Sequence, residues 1–126
     1  MHVTGLDHIV LCVADVGRTL AFYRDALGMH PREERPGKWS LHFGQSKISL
    51  QDARTAPEIA RATVPGSGNF CLLVQAPVAD VADSLHRQGI DVFIGPAERD
   101  GALGKLMSIY FRDPDGNLVE VSNRLR

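Results

Sequence analysis

Residues 6–14, LDHIVLCVA, form the first apolar run; its β-branched residues, broken by one histidine, predict a strand. After Asp15 the period changes. Val16, Leu20, Tyr23 and Leu27 recur at i, i+4 and i+7 with Phe22 slightly off the stripe, which predicts a helix capped by Asp15 and stopped by Gly28. PREERPGK, 31–38, carries no apolar period and reads as a polar loop. WSLHFG and SKISLQ alternate as two strands around a turn at Gly44 to Ser46. Small and polar residues with two prolines fill 52–68, a linker with at most a short helix near 57–62.

The second half opens with GNFCLLVQAP, a strand, followed by PVADVADSLHRQGI, a helix with Val78, Val81, Ala82 and Leu85 on one face and Gly89 as its stop. DVFIGPAE is a short strand, RDGALGK a Gly-rich loop, LMSIYFRD a strand, DPDG a turn and NLVEVSN the last strand. Pro114 fixes φ at that turn and Gly116 can take φ > 0.

The two halves repeat. Val13 and Val74 stand 61 positions apart, as do Gly28 and Gly89, while Ser40 and Ser108, and Phe43 and Phe111, stand 68 apart. The growing offset places an insertion in the second half, expected in the Gly-rich loop. A repeated unit sets the fold reading: α+β, two βαβββ modules forming a curled mixed sheet around a cleft, a natural place for a ligand. The expected organisation is a single domain over 1–126, with module one at 4–52, a linker at 53–67 and module two at 68–124.

Composition narrows the function. The 126 residues carry 14 Lys plus Arg against 15 Asp plus Glu, a net charge of -1, so no basic excess points to nucleic acid or an anionic membrane. No run approaches the ~20 apolar residues of a membrane span, and the N-terminus shows no signal-peptide pattern. Cys12 and Cys71 lie in apolar runs without CxxC spacing, which reads as reduced core thiols in a cytoplasmic protein.

Alternation sorts the strand faces. His8, Val10 and Cys12 share one face and Ile9 and Leu11 the other, with Asp7 opposite His8 and assigned to solvent or a turn. In the last strand Leu118, Glu120 and Ser122 share a face, which sets an acid in the middle of an apolar run. His42 shares a face with Ser40 and Gly44, and Tyr110 is its repeat partner. Trp39 is placed in a cleft wall or the core; His2, His30 and His86 read as exposed residues of the terminus, loop and helix end.

LDHIVLCVADVGRTLAFYRDALGM and SIYFRDPDGNLVEVSN together resemble the vicinal oxygen chelate superfamily, which holds glyoxalase I, fosfomycin and bleomycin resistance proteins, extradiol dioxygenases and methylmalonyl-CoA epimerase. The tail from Gly95 to Asn123 is most similar to small glyoxalase-domain proteins. The resemblance implies a divalent metal ion (Mn, Fe, Ni, Mg or Zn) held by two side chains from each module. It also implies Lewis-acid chemistry on a substrate with two vicinal oxygens.

By that resemblance, His8 and Glu120 fall on metal-ligand positions, Glu120 being also the catalytic carboxylate. Asn69 stands where many relatives carry His, and Ser49 where glyoxalase I carries Glu. Gln51 stands where the nearest branch most often has His, and its amide oxygen makes it the third metal-ligand candidate. These neutral donors suit Mg or Mn better than Zn. Asn69, His42, Arg99 and Tyr110 are the substrate-binding candidates, with Arg99, Lys105 and Arg112 around the Gly-rich loop as a surface for an anionic group on a moving lid. The expected function is a metal-dependent lyase or isomerase acting on a small oxygenated metabolite, less a ring-cleaving dioxygenase; the alternative is a metal-free binder of the bleomycin-resistance type. Either form is expected as a homodimer, without nucleic acid or membrane partners.

Overall fold

The computed structural model describes residues 1–55 and 60–126. The first half of the short helix expected near 57–62 falls outside the described residues, and 60–62 are bend and turn. The chain divides into two compact units, Met1–Ser67 and Gly68–Arg126.

In the first unit, β1 (His8–Val13) leads through α1 (Val16–Leu27) to β2 (His30–Arg35), β3 (Lys38–Phe43) and β4 (Ser46–Asp52). The sheet order is β1-β4-β3-β2, with β1 parallel to β4 and the other pairs antiparallel. One face carries Leu11, Val13, Leu41, Ile48 and Leu50, all 5% exposed or less, and packs with Thr19, Tyr23 and Met29. Removing a fully buried side chain from such a layer, as in Leu41→Ala, costs about 2–5 kcal/mol. Asp15 caps α1 by accepting from the Arg18 N–H at 2.9 Å. Gly28, at φ 67, closes it with its N–H on the Arg24 carbonyl.

The second unit repeats the order: β5 (Asn69–Leu73), α2 (Val78–Arg87), β6 (Ile94–Gly101), β7 (Gly104–Arg112) and β8 (Leu118–Arg124). Its sheet runs β5-β8-β7-β6, with β5 parallel to β8. Ile109, Phe111, Val119 and Val121 are fully buried on one face, and Val78, Ala82 and Leu85 of α2 are buried as well. The fold is therefore α+β, a βαβββ module twice over.

Three expectations change. The 31–38 loop is for the most part a strand: β2 pairs with β3 from His30↔His42 to Arg35↔Lys38, with a bulge between Glu33 and Arg35. It escapes the hydrophobic period because it is an edge strand, where charges are favoured and one face meets water. The Gly-rich loop is a hairpin. β6 runs to Gly101 and β7 starts at Gly104, so only Ala102 and Leu103 turn, and an Asp100–Lys105 ion pair spans the arms. The insertion is also divided. Gly28 and Gly89 differ by 61 positions, but the strand starts His30 and Ile94 differ by 64, so about half of the extra length lies between α2 and β6 and the rest lengthens the hairpin.

The DPDG turn is more strongly built than its residue types suggest. Asp113 is 5% exposed and Asn117 1%. Asp113 accepts from the Asp115 and Asn117 N–H groups and from Asn117 Nδ2 at 2.8 Å, while Asn117 Oδ1 accepts from the Gly68 N–H at 2.6 Å. Gly116 takes φ 87, as its place in the turn requires. The turn thereby fixes both the start of β8 and the entry to β5.

Candidate functional site

Each sheet has a second face, opposite its helix, and the candidate residues gather there. In the first module the register sets Lys47 beside His8, Ser49 beside Val10 and Gln51 beside Cys12, with Ser40 opposite Ser49 and His42 opposite Lys47. Alternation puts all of these on one face.

His8 begins β1, half-exposed, with Nδ1 2.8 Å from Asp7 Oδ1. A carboxylate only accepts, so Nδ1 donates and Nε2 is the ring nitrogen left to face a ligand. Asp7 lies in solvent, its side chain 88% exposed, and there meets the histidine. Gln51 sits four strand positions beyond the partner of His8, roughly 13 Å of backbone. Ser49 lies closer but has only a hydroxyl to offer.

His42 joins residues that sequence reading passed over. Glu34 Oε1 accepts from Ser40 Oγ at 2.6 Å and Lys47 Nζ at 3.0 Å, and His42 Nε2 lies 3.0 Å away. These donors hold the Glu34 carboxyl down at about 2. The Ser40–His42–Glu34 grouping is no hydrolytic relay, because the same Nε2 faces both partners and Ser40 is fully buried. A cavity of about 360 Å³ opens beside it, lined by Asp7, Glu34, His42, Gly44, Gln45, Ser46 and Lys47. Glu34 was hidden in the supposed loop, whereas the alternation that links Ser49 and Gln51 also reaches Lys47.

In the second module Glu120 stands between Cys71 on β5 and Tyr110 on β7. Ser122 Oγ donates to Glu120 Oε2 at 3.3 Å, lies 3.2 Å from Cys71 Sγ, and is anchored by Ser108 Oγ at 2.6 Å. Arg99 Nε donates to Tyr110 Oη at 3.1 Å, and its guanidinium stands 5.4 Å from the ring centre. Burial pushes the Tyr110 phenol up, the Arg99 hydrogen bond opposes it, and the Glu120 charge adds to the rise. Burial raises the Cys71 thiol in the same direction. Glu120 thus meets hydroxyls and a thiol; among the described residues no salt bridge reaches it.

The sheet sets Cys71, Glu120 and Tyr110 in one row, and Arg99, opposite Leu106 four strand positions away, reaches it with its side chain. Asn69 shares their face at the exposed start of β5, opposite Leu118. Arg112 stacks on Phe93 at 4.8 Å and Lys105 pairs with Asp100, so of the three cations around the hairpin Arg99 alone joins the row. Neither cysteine is a core thiol: Cys12 is half-buried and Cys71 exposed, because both fall on the polar sheet face. Among the described residues no three His, Cys, Asp or Glu side chains converge as a metal cluster. Each module taken by itself offers good donors, His8 in one and Glu120 in the other.

The chain belongs to the Glyoxalase/Bleomycin resistance protein/Dioxygenase superfamily, whose profile matches residues 5–121. It is 41% identical over 124 residues to the virulence protein STM3117 of Salmonella typhimurium, covering 97% of this chain and 85% of that protein. The crystal structure of STM3117 matches with a TM-score of 0.96 at 39% identity, over 99% of this chain and 100% of that one. It is 39% identical over 124 residues to the glyoxalase domain-containing protein RDO1 of Mycosarcoma maydis, covering 98% of this chain and 70% of RDO1. No described helix is long and apolar enough to cross a membrane.

Proposed function

We propose that this protein is a cytoplasmic, divalent-metal-dependent enzyme acting on a small oxygenated metabolite, of lyase or isomerase type. His8 and Glu120 are its metal ligands, without Gln51, whose place four strand positions beyond the partner of His8 sets it out of reach of the same ion, and two chains associate as a homodimer. The observation that carries the reading is the contrast between two acids on polar sheet faces. Glu34 is matched by Lys47, whereas no salt bridge among the described residues reaches Glu120. A carboxylate that meets hydroxyls and makes no direct salt bridge suits a site that receives a cation. The Asp7–His8 pair supports the same reading from the first module, since it occupies Nδ1 and leaves Nε2 as the nitrogen available to a ligand.

A bound divalent ion supplies Lewis acidity, offsetting negative charge that develops on a substrate oxygen. The protein's own groups do the rest. The Tyr110 phenol keeps its proton at neutral pH and can donate it in a hydrogen bond to a substrate oxygen. Arg99 holds that phenol in place and offers its remaining N–H groups to an anionic substituent. His42 and Asn69 line the polar faces as further substrate contacts.

Calorimetric titration with Mn, Fe, Ni, Mg and Zn tests the reading. Binding at micromolar affinity or tighter is expected for at least one ion, weakened at least tenfold in Glu120→Ala and in His8→Ala. A wild-type protein that binds none of them at micromolar concentration overturns it. Light scattering at a single-chain mass removes the dimer.

The second reading is a metal-free binder. It is favoured by Ser49, Gln51 and Asn69, neutral residues at positions where related patterns carry a carboxylate or an imidazole. On this reading Glu120→Ala leaves ligand affinity unchanged and no turnover exists to lose.

A further inference from the structure

Asn69 is a weak donor, yet the second module carries a stronger one two residues on. Cys71 faces the same way as Asn69 but stands directly beside Glu120 in the β5–β8 register, whereas Asn69 stands beside Leu118. Neighbouring strands lie ~4.8 Å apart, so Cys71 and Glu120 project from adjacent points of one face. Their heads meet at Ser122. Its Oγ is 3.2 Å from Cys71 Sγ and 3.3 Å from Glu120 Oε2, so a single hydroxyl touches both donors. Ser108, fully buried, holds that hydroxyl from behind at 2.6 Å. A zinc ion takes sulfur at ~2.3 Å and carboxylate oxygen at ~2.0–2.2 Å, the two donor types that Cys71 and Glu120 set side by side on this face.

We infer that Cys71 is the partner of Glu120 in holding a divalent ion, with Ser122 as the positioning residue, and that the site therefore prefers Zn or Co over Mg or Mn. This rests on the metal-dependent reading above and sharpens it, because a thiolate shifts a donor set toward softer ions. On coordination the S–H bond gives up its proton to solvent and a sulfur–metal bond replaces it, with no change of oxidation state. The preference is the opposite of the one that Gln51 and Asn69 alone would set.

Titration of the full chain with cobalt(II) reads the donor directly. A thiolate-to-cobalt charge-transfer band in the near ultraviolet is expected, lost in Cys71→Ser and kept in Cys12→Ser. Cobalt affinity is expected to fall at least tenfold in Cys71→Ser, with zinc displacing cobalt from the wild type and magnesium failing to do so. Should Cys71→Ser not fold, alkylation of the wild type serves. Zinc is expected to protect Cys71, and not Cys12, from iodoacetamide, as read by peptide mass. Cobalt binding without a sulfur band, or Cys71 alkylated equally with and without zinc that is bound, overturns the role of Cys71 and leaves the metal reading standing. No binding of any of these ions by the wild type overturns both.

Discussion

In the first module α1 is capped from within: Asp15 accepts from the Arg18 N–H, three residues on. In the second, α2 starts after Pro77, which has no side-chain bond to give, and the group that accepts from the Val78 N–H is Asn123 on β8, 45 residues further along. Asn123 also donates from Nδ2 to the Val74 and Ala76 carbonyls at 2.9 and 2.8 Å. One topology thus reaches the same end, a satisfied helix N-terminus, by a local and by a tertiary route. The polar faces diverge in the same manner. The acid of the first, Glu34, comes from the edge strand and is matched by Lys47. The acid of the second, Glu120, comes from a central strand beside Cys71 and Tyr110. Repetition fixes the backbone frame, and a few side chains decide how charge is matched on each polar face.

The sharpest way to break the comparison is at glycine. At Gly95, φ is +102 and an added Cβ would lie 2.3 Å from the Ser108 carbonyl oxygen, against backbone that cannot step aside. Gly37 in the equivalent hairpin of module one has φ +77 but open space around it. Gly95→Ala is expected to destabilise by about 3 kcal/mol or more, from positive-φ strain plus overpacking. Gly37→Ala is expected to lose only the strain, about 1 kcal/mol. Urea unfolding of both variants measures the gap, and equal losses would refute it.

The caps come next. Asn123→Ala strands one donor and two acceptors and is expected to cost about 2–3 kcal/mol, against about 1 kcal/mol for Asp15→Ala. Thermal melts with hydrogen exchange at α1 and α2 would show which helix frays in each variant. A smaller loss for Asn123→Ala than for Asp15→Ala would remove the distinction between local and tertiary capping.

The smallest effect concerns the two acids. Glu34 has its folded carboxyl near 2, below its ordinary value near 4.5, chiefly because Ser40, then Lys47 and His42, bond the charged form. A depressed folded value means that Glu34 stabilises above about pH 4.5 and that this contribution is lost as the pH falls toward 2. Glu34→Gln is expected to flatten that part of the acid-unfolding curve. An unchanged curve would show that the cluster does not hold the charge.

Much of the frame was legible along the chain. The i, i+4, i+7 stripe with Asp15 and Gly28 located α1, and the alternation in IVLCV, SKISLQ and NLVEVSN separated core faces from polar ones. Elements whose stability comes from elsewhere were not legible. β2 has no apolar period because it lies at a sheet edge, and the 99–105 segment became a hairpin through its pairing with β7. The site divides along the same line. Glu120, Tyr110 and Arg99 could be singled out as candidates along the chain, but Glu34 was concealed in a misread segment. Cys71 was taken for a core residue because the residues around it in sequence are apolar.

The sequence by itself determined the repeat, the helix stripes, the strand faces and the set of polar residues that can reach a polar face, because these follow from short-range periodicity and steric preference. Only the tertiary structure decided which of those residues meet. Register sets Cys71 beside Glu120, Lys47 beside His8 and Asn123 under α2. Register is a property of strands far apart in sequence, fixed by how their buried faces pack, and no local pattern contains it.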